Sequence, residues 1–352
     1  MRLAGRNSQA DVLVVGGGPA GLAAAIALRT RGFSVTVADP GQPPIDKACG
    51  EGLLPGSLEA LRRLGVLLPP EHTFPFRGIR FLYRGDSVDA SFPNGTGVGI
   101  RRTHLHQALI NRAEAVGVAL RWGSMAKGLS ETGVVLDGAA IDCRWVVGAD
   151  GENSSVRQWA GLTHTRSQSV RYGFRRHYRI APWSDCVEVY WGEQSQMYVT
   201  PIGHDEVGVA LLSRDSHHRL DQALPRHPEL AARLKHAPAS TTERGAVSVT
   251  RRLAQVQLGR ALLVGDASGS VDAITGEGLR LGFEQASALA DALVNEDPGR
   301  YAAAHRRSAR RPALMSALML SLDHSAWLRR VVLTALSSEP HIFALGLRIL
   351  TG

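Results

Sequence analysis

Asp11–Gly21 reads DVLVVGGGPAG, and the architecture follows from that stretch. Val12–Val15 is a short apolar run, the pattern of a parallel strand buried on both faces. Gly16, Gly18 and Gly21 then supply G-x-G-x-x-G, with Pro19 and Ala20 inside the motif. Helix-forming residues run from Leu22 to Arg29, and Gly32 stands where a helix stop belongs. A second strand, Ser34–Ala38, ends in Asp39. The unit is β-α-β with a dinucleotide expected at its first turn. Gly16 permits the tight turn, Gly18 lets a pyrophosphate approach the backbone, and Gly21 lets helix and strand pack closely. The helix N-terminus offers free N–H groups and the positive end of its dipole. Asp39 lies where an acid accepts hydrogen bonds from an adenosine ribose.

A chain of 352 residues accommodates one large domain or two intimate ones. Its net charge of +8 is carried almost wholly by arginine, since the lysines are Lys47, Lys127 and Lys235 alone. That balance suits phosphate-bearing cofactors or an anionic surface. The arginines are dispersed without a recognition motif, so nucleic acid is not expected as a partner. Cys49, Cys143 and Cys186 lack metal-ligand spacing and cannot all pair, which points to a reducing cytoplasm and no bound metal. No run reaches membrane-spanning length, and the first ten residues lack the apolar core of a signal peptide.

After Asp39 a Pro/Gly-rich loop leads to Lys47-Ala48-Cys49-Gly50-Glu51-Gly52. Short strands near 118–122, 133–136 and 141–143 read as a small antiparallel excursion from the nucleotide-binding part. Arg144–Ala149 is another buried strand, ending in Asp150-Gly151. From Arg171 to Ser213 the period changes to two, giving successive antiparallel strands with one face on the core. That face is a candidate wall over a ligand, with Tyr190 and Tyr198 as substrate contacts. Ala261–Val264 ends in Gly265-Asp266 and leads through GDASGSVDAITGEGLRLG into a helix. Pro298–Leu350 reads as three helices mixing apolar runs with arginine clusters. A lid packed on the core is the reading taken for them, and a membrane-surface platform is the alternative.

Three strand-to-loop junctions therefore carry small residues and an acid: Gly16–Gly21 with Asp39, Asp150-Gly151, and Gly265-Asp266. Together with Arg102 they resemble the FAD-binding fingerprint of the flavoprotein hydroxylase (class A monooxygenase) and geranylgeranyl reductase superfamily, roughly from Asp11 to Asp291. The resemblance implies an α/β fold: a Rossmann-like FAD-binding domain with a mostly parallel sheet, an inserted antiparallel substrate domain and C-terminal helices. The boundaries expected are 10–165 with 245–300 for the FAD-binding domain, 166–244 for the antiparallel domain and 301–352 for the helices. It implies that Asp266 meets the ribityl chain, and that Arg102 meets the ribityl chain or pyrophosphate. Gly276 and Gly278 would let the flavin ring approach the backbone, and Asp150 would brace the first nucleotide loop. FAD is expected to be non-covalent, with NAD(P)H as a transient reductant, since no second G-x-G-x-x-G is present.

Cys49-Gly50-Glu51-Gly52 and Thr275-Gly276-Glu277-Gly278 are similar to segments of the geranylgeranyl reductase branch. The first function expected is nevertheless a monooxygenase that hydroxylates an aromatic or polyketide-like metabolite. The alternative is a C=C reductase, for which Cys49 is the candidate proton donor. A flavin-dependent halogenase is the second alternative, on Lys47 alone, and a flavin-bound sensor without turnover is the reading from outside enzymology. The substrate is a small molecule, with lipophilic compounds among the candidates.

Overall fold

The opening apolar run becomes strand Ala10–Val15 at the centre of a parallel sheet in the computed structural model, which describes residues 10–193 and 195–338. The order across the sheet is Ala119–Trp122, Val35–Asp39, Ala10–Val15, Ala139–Gly148, Ala261–Leu263, with Gln257–Leu258 antiparallel at the edge. Val12 and Val14 face helices Pro19–Arg29, Arg102–Ala115 and Gly278–Val294 through Leu22, Ile26, Leu109 and Phe283. Leu13 and Val15 face the other way, against Val134, Val146 and Val156. Two-sided burial is why this strand is continuously apolar. Each fully buried Leu or Ile here contributes about 1.5–3 kcal/mol.

The second layer is an eight-stranded sheet in the order Gly269–Ser270, Arg244–Leu253, Thr165–Arg179, Glu206–Ser213, Ser195–Gly203, Cys186–Trp191, Gly78–Tyr83, Asp86–Ser91. The period-two segments pair antiparallel as expected, and Cys186–Trp191 pairs parallel with Gly78–Tyr83. One face packs on the short helices Leu220–Ala223 and Pro228–Leu234 through Met197, Val209 and Leu230. The other face looks toward the parallel sheet.

Two expectations need correction. Ala119–Trp122 pairs parallel with Val35–Asp39, so only Ala126–Leu129, Gly133–Leu136 and the start of Ala139–Gly148 form the antiparallel excursion. The hairpin 78–91 and strand Arg244–Leu253, assigned by sequence mainly to the nucleotide-binding part, are hydrogen-bonded into the large antiparallel sheet. Which edge a strand joins depends on partners distant in sequence, and local pattern carries no record of them.

Helices Pro298–His324 and Ala326–Ser338 pack back on the core, with Met319, Leu322, Leu328 and Val332 against Phe81, Val189 and Trp191. The third helix expected, over 342–350, lies outside the described residues, as do the first nine residues.

Candidate active site

A cavity of about 770 Å³ runs between the two sheets. Gly16, Gly18, Pro19, Ala20 and Asp39 line one part of it. Gly16 has φ +110°, and a β-carbon there would stand 2.4 Å from Ala149 O, so the turn tolerates glycine alone. Gly21 does not line the cavity: a β-carbon on it would stand 1.9 Å from Gly16 O, and its part is the close packing of helix on strand. Gly18 has nothing within 4 Å of its open side. The helix behind it has no side-chain cap, which leaves its first N–H groups to a ligand.

Asp39 holds this loop as well as facing the cavity. Its Oδ2 accepts Gly17 N and its Oδ1 accepts Gly41 N, both at 2.7 Å. Buried His106, which the sequence did not single out, works from the other side. Its Nδ1 accepts Ile45 N at 3.1 Å, so Nε2 carries the proton donated to Gly17 O at 2.7 Å. Burial holds the His106 pKa below the ordinary value, consistent with a neutral ring. A lone histidine on a helix gives no sequence signal for this role.

Asp150, Gly265, Asp266, Gly276, Gly278 and Arg102 line the cavity beyond this loop. Asp150 accepts Ser154 Oγ at 2.5 Å and Ser155 N at 2.7 Å, so it organises its own loop, which abuts Gly16. Lys47 Nζ lies 3.9 Å from Asp266 Oδ2 across the cavity. Gly276 has φ +68°, and neither it nor Gly278 has any atom within 4 Å of its open side. Helix Gly278–Val294 begins there without a side-chain cap. The Arg102 Nε is buried and has no hydrogen-bond partner among the described residues. Two uncapped helix starts, open glycine backbone and an orphaned guanidinium nitrogen form a donor set that fits FAD.

The Cys49 loop closes the cavity between cofactor side and apolar side. Cys49 is half-buried and lines it, and Cys49 Sγ accepts Glu51 N at 3.4 Å. Glu51 has φ +58°, a conformation costly for a side chain of its kind. Its buried carboxylate accepts Arg102 N at 2.8 Å through Oε1 and His177 Nε2 at 2.6 Å through Oε2. Arg175 donates to His177 Nδ1 and pairs with Asp46, which also meets Arg244. The sequence showed Glu51 only as a motif letter; its partners lie on the Arg102 helix and in the antiparallel sheet.

The far end of the cavity is apolar, walled by Phe76, Phe81, Val187, Val189, Trp191, Tyr198 and Ile274, with Met315 and Met319 from the long C-terminal helix. Tyr198 is thus placed at the cavity and Tyr190 is not. Val189 and Trp191 face the cavity, and strand alternation turns Tyr190 to the opposite side. There its hydroxyl donates to Glu188 at 2.7 Å, among Met197, Val199 and Leu230.

The fold and its glycine cradle are those of a dinucleotide-binding flavoenzyme. The chain belongs to the FAD binding domain family, whose model matches residues 9–303. It is 28% identical to menaquinone reductase of Mycolicibacterium smegmatis, over 82% of this chain and 77% of that protein. It is also 28% identical to 3-demethoxyubiquinol 3-hydroxylase of Escherichia coli K12, over 82% of this chain and 81% of that one. Among solved structures, the flavin-dependent brominase Bmp2 superposes with a TM-score of 0.82 over 97% of this chain and 93% of that chain. Its identity is 18%, so that likeness is one of fold. The protein is an FAD-dependent oxidoreductase.

Proposed function

We propose that this flavoenzyme reduces a carbon–carbon double bond in an apolar small molecule, with NAD(P)H as transient reductant and Cys49 as proton donor. The proton inventory of the apolar wall carries this reading. Tyr198 gives its hydroxyl proton to Ile274 O at 3.2 Å, and Thr200 gives its own to Gly50 O at 2.7 Å. Burial also pushes the Tyr198 pKa up, away from any role as an acid. Cys49 lines the same cavity, its Sγ accepts Glu51 N, and among the described residues no hydrogen bond is donated by it.

Bound and reduced, FAD supplies the hydride. Cys49 delivers the proton to the neighbouring carbon, which completes addition of two hydrogens. The thiolate left behind is stabilised by the Glu51 N–H and takes its next proton from solvent. Asp39, Arg102, Asp266 and the glycines position the cofactor, and Tyr198 shapes the substrate's chamber. The nucleotide-binding part supplies the first role and the antiparallel sheet the second. The menaquinone reductase relative supports a quinone or prenyl setting for the double bond.

Hydroxylation of an aromatic or polyketide-like metabolite is the second reading, supported by the ring-rich wall of Phe76, Phe81 and Trp191 and by the hydroxylase relative. Product mass separates the two. With FAD, NADH plus NADPH and a panel of prenyl quinones and phenolic lipids, reduction adds two hydrogens and persists without oxygen. In Cys49→Ala, product formation drops by roughly 10²-fold or more while NAD(P)H still reduces the flavin. Gain of one oxygen atom, dependent on air and unaffected by Cys49→Ala, replaces the first reading with the second.

A further inference from the structure

The two C-terminal helices have a second face that the catalytic reading does not use. On Pro298–His324, Met315 and Met319 look into the cavity, while Leu314 and Leu318 are 69% and 52% exposed. On Ala326–Ser338, Leu328 and Val332 turn to the same core, while Trp327 and Val331 are 73% and 45% exposed. Single exposed apolar residues are common, but four large ones on two helices that pack on each other mark these helices as a candidate contact surface.

The exposed charge carried along these two helices is of one sign. Arg306, Arg307, Arg310 and Arg311 are exposed on the long helix, and Arg310, Leu314 and Leu318 follow one another at a spacing of four along one side. Arg330 is exposed beside Val331. Among the described residues none of these five guanidiniums pairs with a carboxylate. The acid nearest in sequence on these helices, Asp323, is buried in pairs with Arg171 and Arg214. Arginine beside exposed leucine and tryptophan is the composition that rests at a lipid interface.

We infer that this outer face seats the protein on an anionic bilayer surface, with Leu314, Leu318 and Trp327 entering the headgroup boundary and the arginines meeting lipid phosphates. No helix among the described residues is long and apolar enough to cross a membrane, so the contact is one of lying on the surface. The same helix then stands with one side on lipid and the other, Met315 and Met319, on the apolar chamber. Delivery of substrate by that route rests on the function proposed above; the surface contact does not.

The test is flotation of the full FAD-loaded chain, without substrate, with vesicles of phosphatidylcholine alone or with added phosphatidylglycerol. Co-flotation is expected with the anionic vesicles, roughly tenfold above neutral ones and falling as salt is raised. The variants Leu314→Gln/Leu318→Gln/Trp327→Gln and Arg307→Glu/Arg310→Glu/Arg311→Glu should each lower it about tenfold, with FAD content and unfolding midpoint unchanged. Absence of co-flotation, or equal co-flotation by both variants, overturns the proposal. So does a concentration-dependent doubling of mass without lipid that the apolar variant abolishes, since the face then meets a second copy. Binding seen only after deletion of residues 339–352 overturns it as well, because that segment then covers the face. Turnover of substrate presented in detergent micelles reports on the catalytic reading separately.

Discussion

Glu51 Oε2 and His177 Nε2 stand 2.6 Å apart, with both side chains withdrawn from solvent and Glu51 held at φ +58°. The pair joins the Cys49 loop to the antiparallel sheet, and the other Glu51 oxygen joins it to the start of the Arg102 helix. Glu51→Ala strands His177 and the Arg102 N–H in a buried site and should cost about 3–5 kcal/mol of stability. Glu51→Gln keeps an acceptor for Arg102 N and should cost about 1–3 kcal/mol. Urea unfolding measures both, and equal losses would mean the charge is irrelevant. In Glu51→Gln, alkylation of Cys49 by iodoacetamide should quicken, because the loop carrying the thiol is less tightly held.

Asp39→Ala should weaken FAD retention. The carboxylate holds Gly17 N and Gly41 N, so the substitution relaxes the glycine loop that lines the cavity and removes the acceptor proposed for the ribose. Hydrogen bonds to a charged group are each worth about 1.5–3 kcal/mol, so affinity should fall roughly ten- to a hundredfold. Flavin fluorescence titration reads this directly, and an unchanged affinity would remove Asp39 from the cofactor site.

Acid should destabilise the fold through His305. Its Nε2 lies 2.9 Å from Ser268 Oγ, which itself donates to Gly265 O in the Gly265-Asp266 turn. Burial, with a smaller contribution from Arg306, lowers its pKa from 6.5 to about 4. Below pH 6.5 the unfolded chain takes the proton first, so stability is lost as pH falls from 6.5 toward about 4. The slope contributed is about 1.4 kcal/mol per pH unit. Burial of His106 and His227 pulls in the same direction. His305→Gln retains a donor to Ser268 and should flatten the decline in unfolding midpoint between neutral and mildly acid buffer. An identical slope in the variant would exclude His305 as its source.

Arg171 spans from the cofactor side to the C-terminal helices. Its Nε meets Asp272 at 2.9 Å and its Nη2 meets Asp323 at 3.0 Å, all three side chains being buried. Asp272 in turn accepts Ile274 N beside the Gly276 turn. Arg171→Met leaves two buried carboxylates unpaired by it and should cost about 3–5 kcal/mol. Limited proteolysis should then cut near Ser325 faster than in the parent, since Asp323 no longer anchors the end of the long helix to the sheet. Unaltered cleavage would show that Arg214 and Gln196, the other partners of Asp323, suffice.

Residues 11–39 were legible as a strand, a glycine turn, a helix and a terminal acid because each step depends on neighbours a few positions away. Glycine at a positive φ, a proline at a helix start and an apolar run buried on both faces leave their marks locally. The same holds for Asp150-Gly151, Gly265-Asp266 and the glycines at 276 and 278, which the fold gathers around one cavity. Tertiary structure alone decided what the other half of the site is made of. Glu51 and His177 are 126 residues apart, and no local pattern links them. Alternation along Cys186–Trp191 assigned Tyr190 and Trp191 to opposite faces, but which face met the cavity depended on the layer packed above the sheet. Only that packing placed Cys49 at the cavity with its Sγ accepting Glu51 N, while the Tyr198 and Thr200 hydroxyls donate to backbone carbonyls. Hydrogen-bond partners are chosen by proximity in space, and chain order constrains proximity only over short separations.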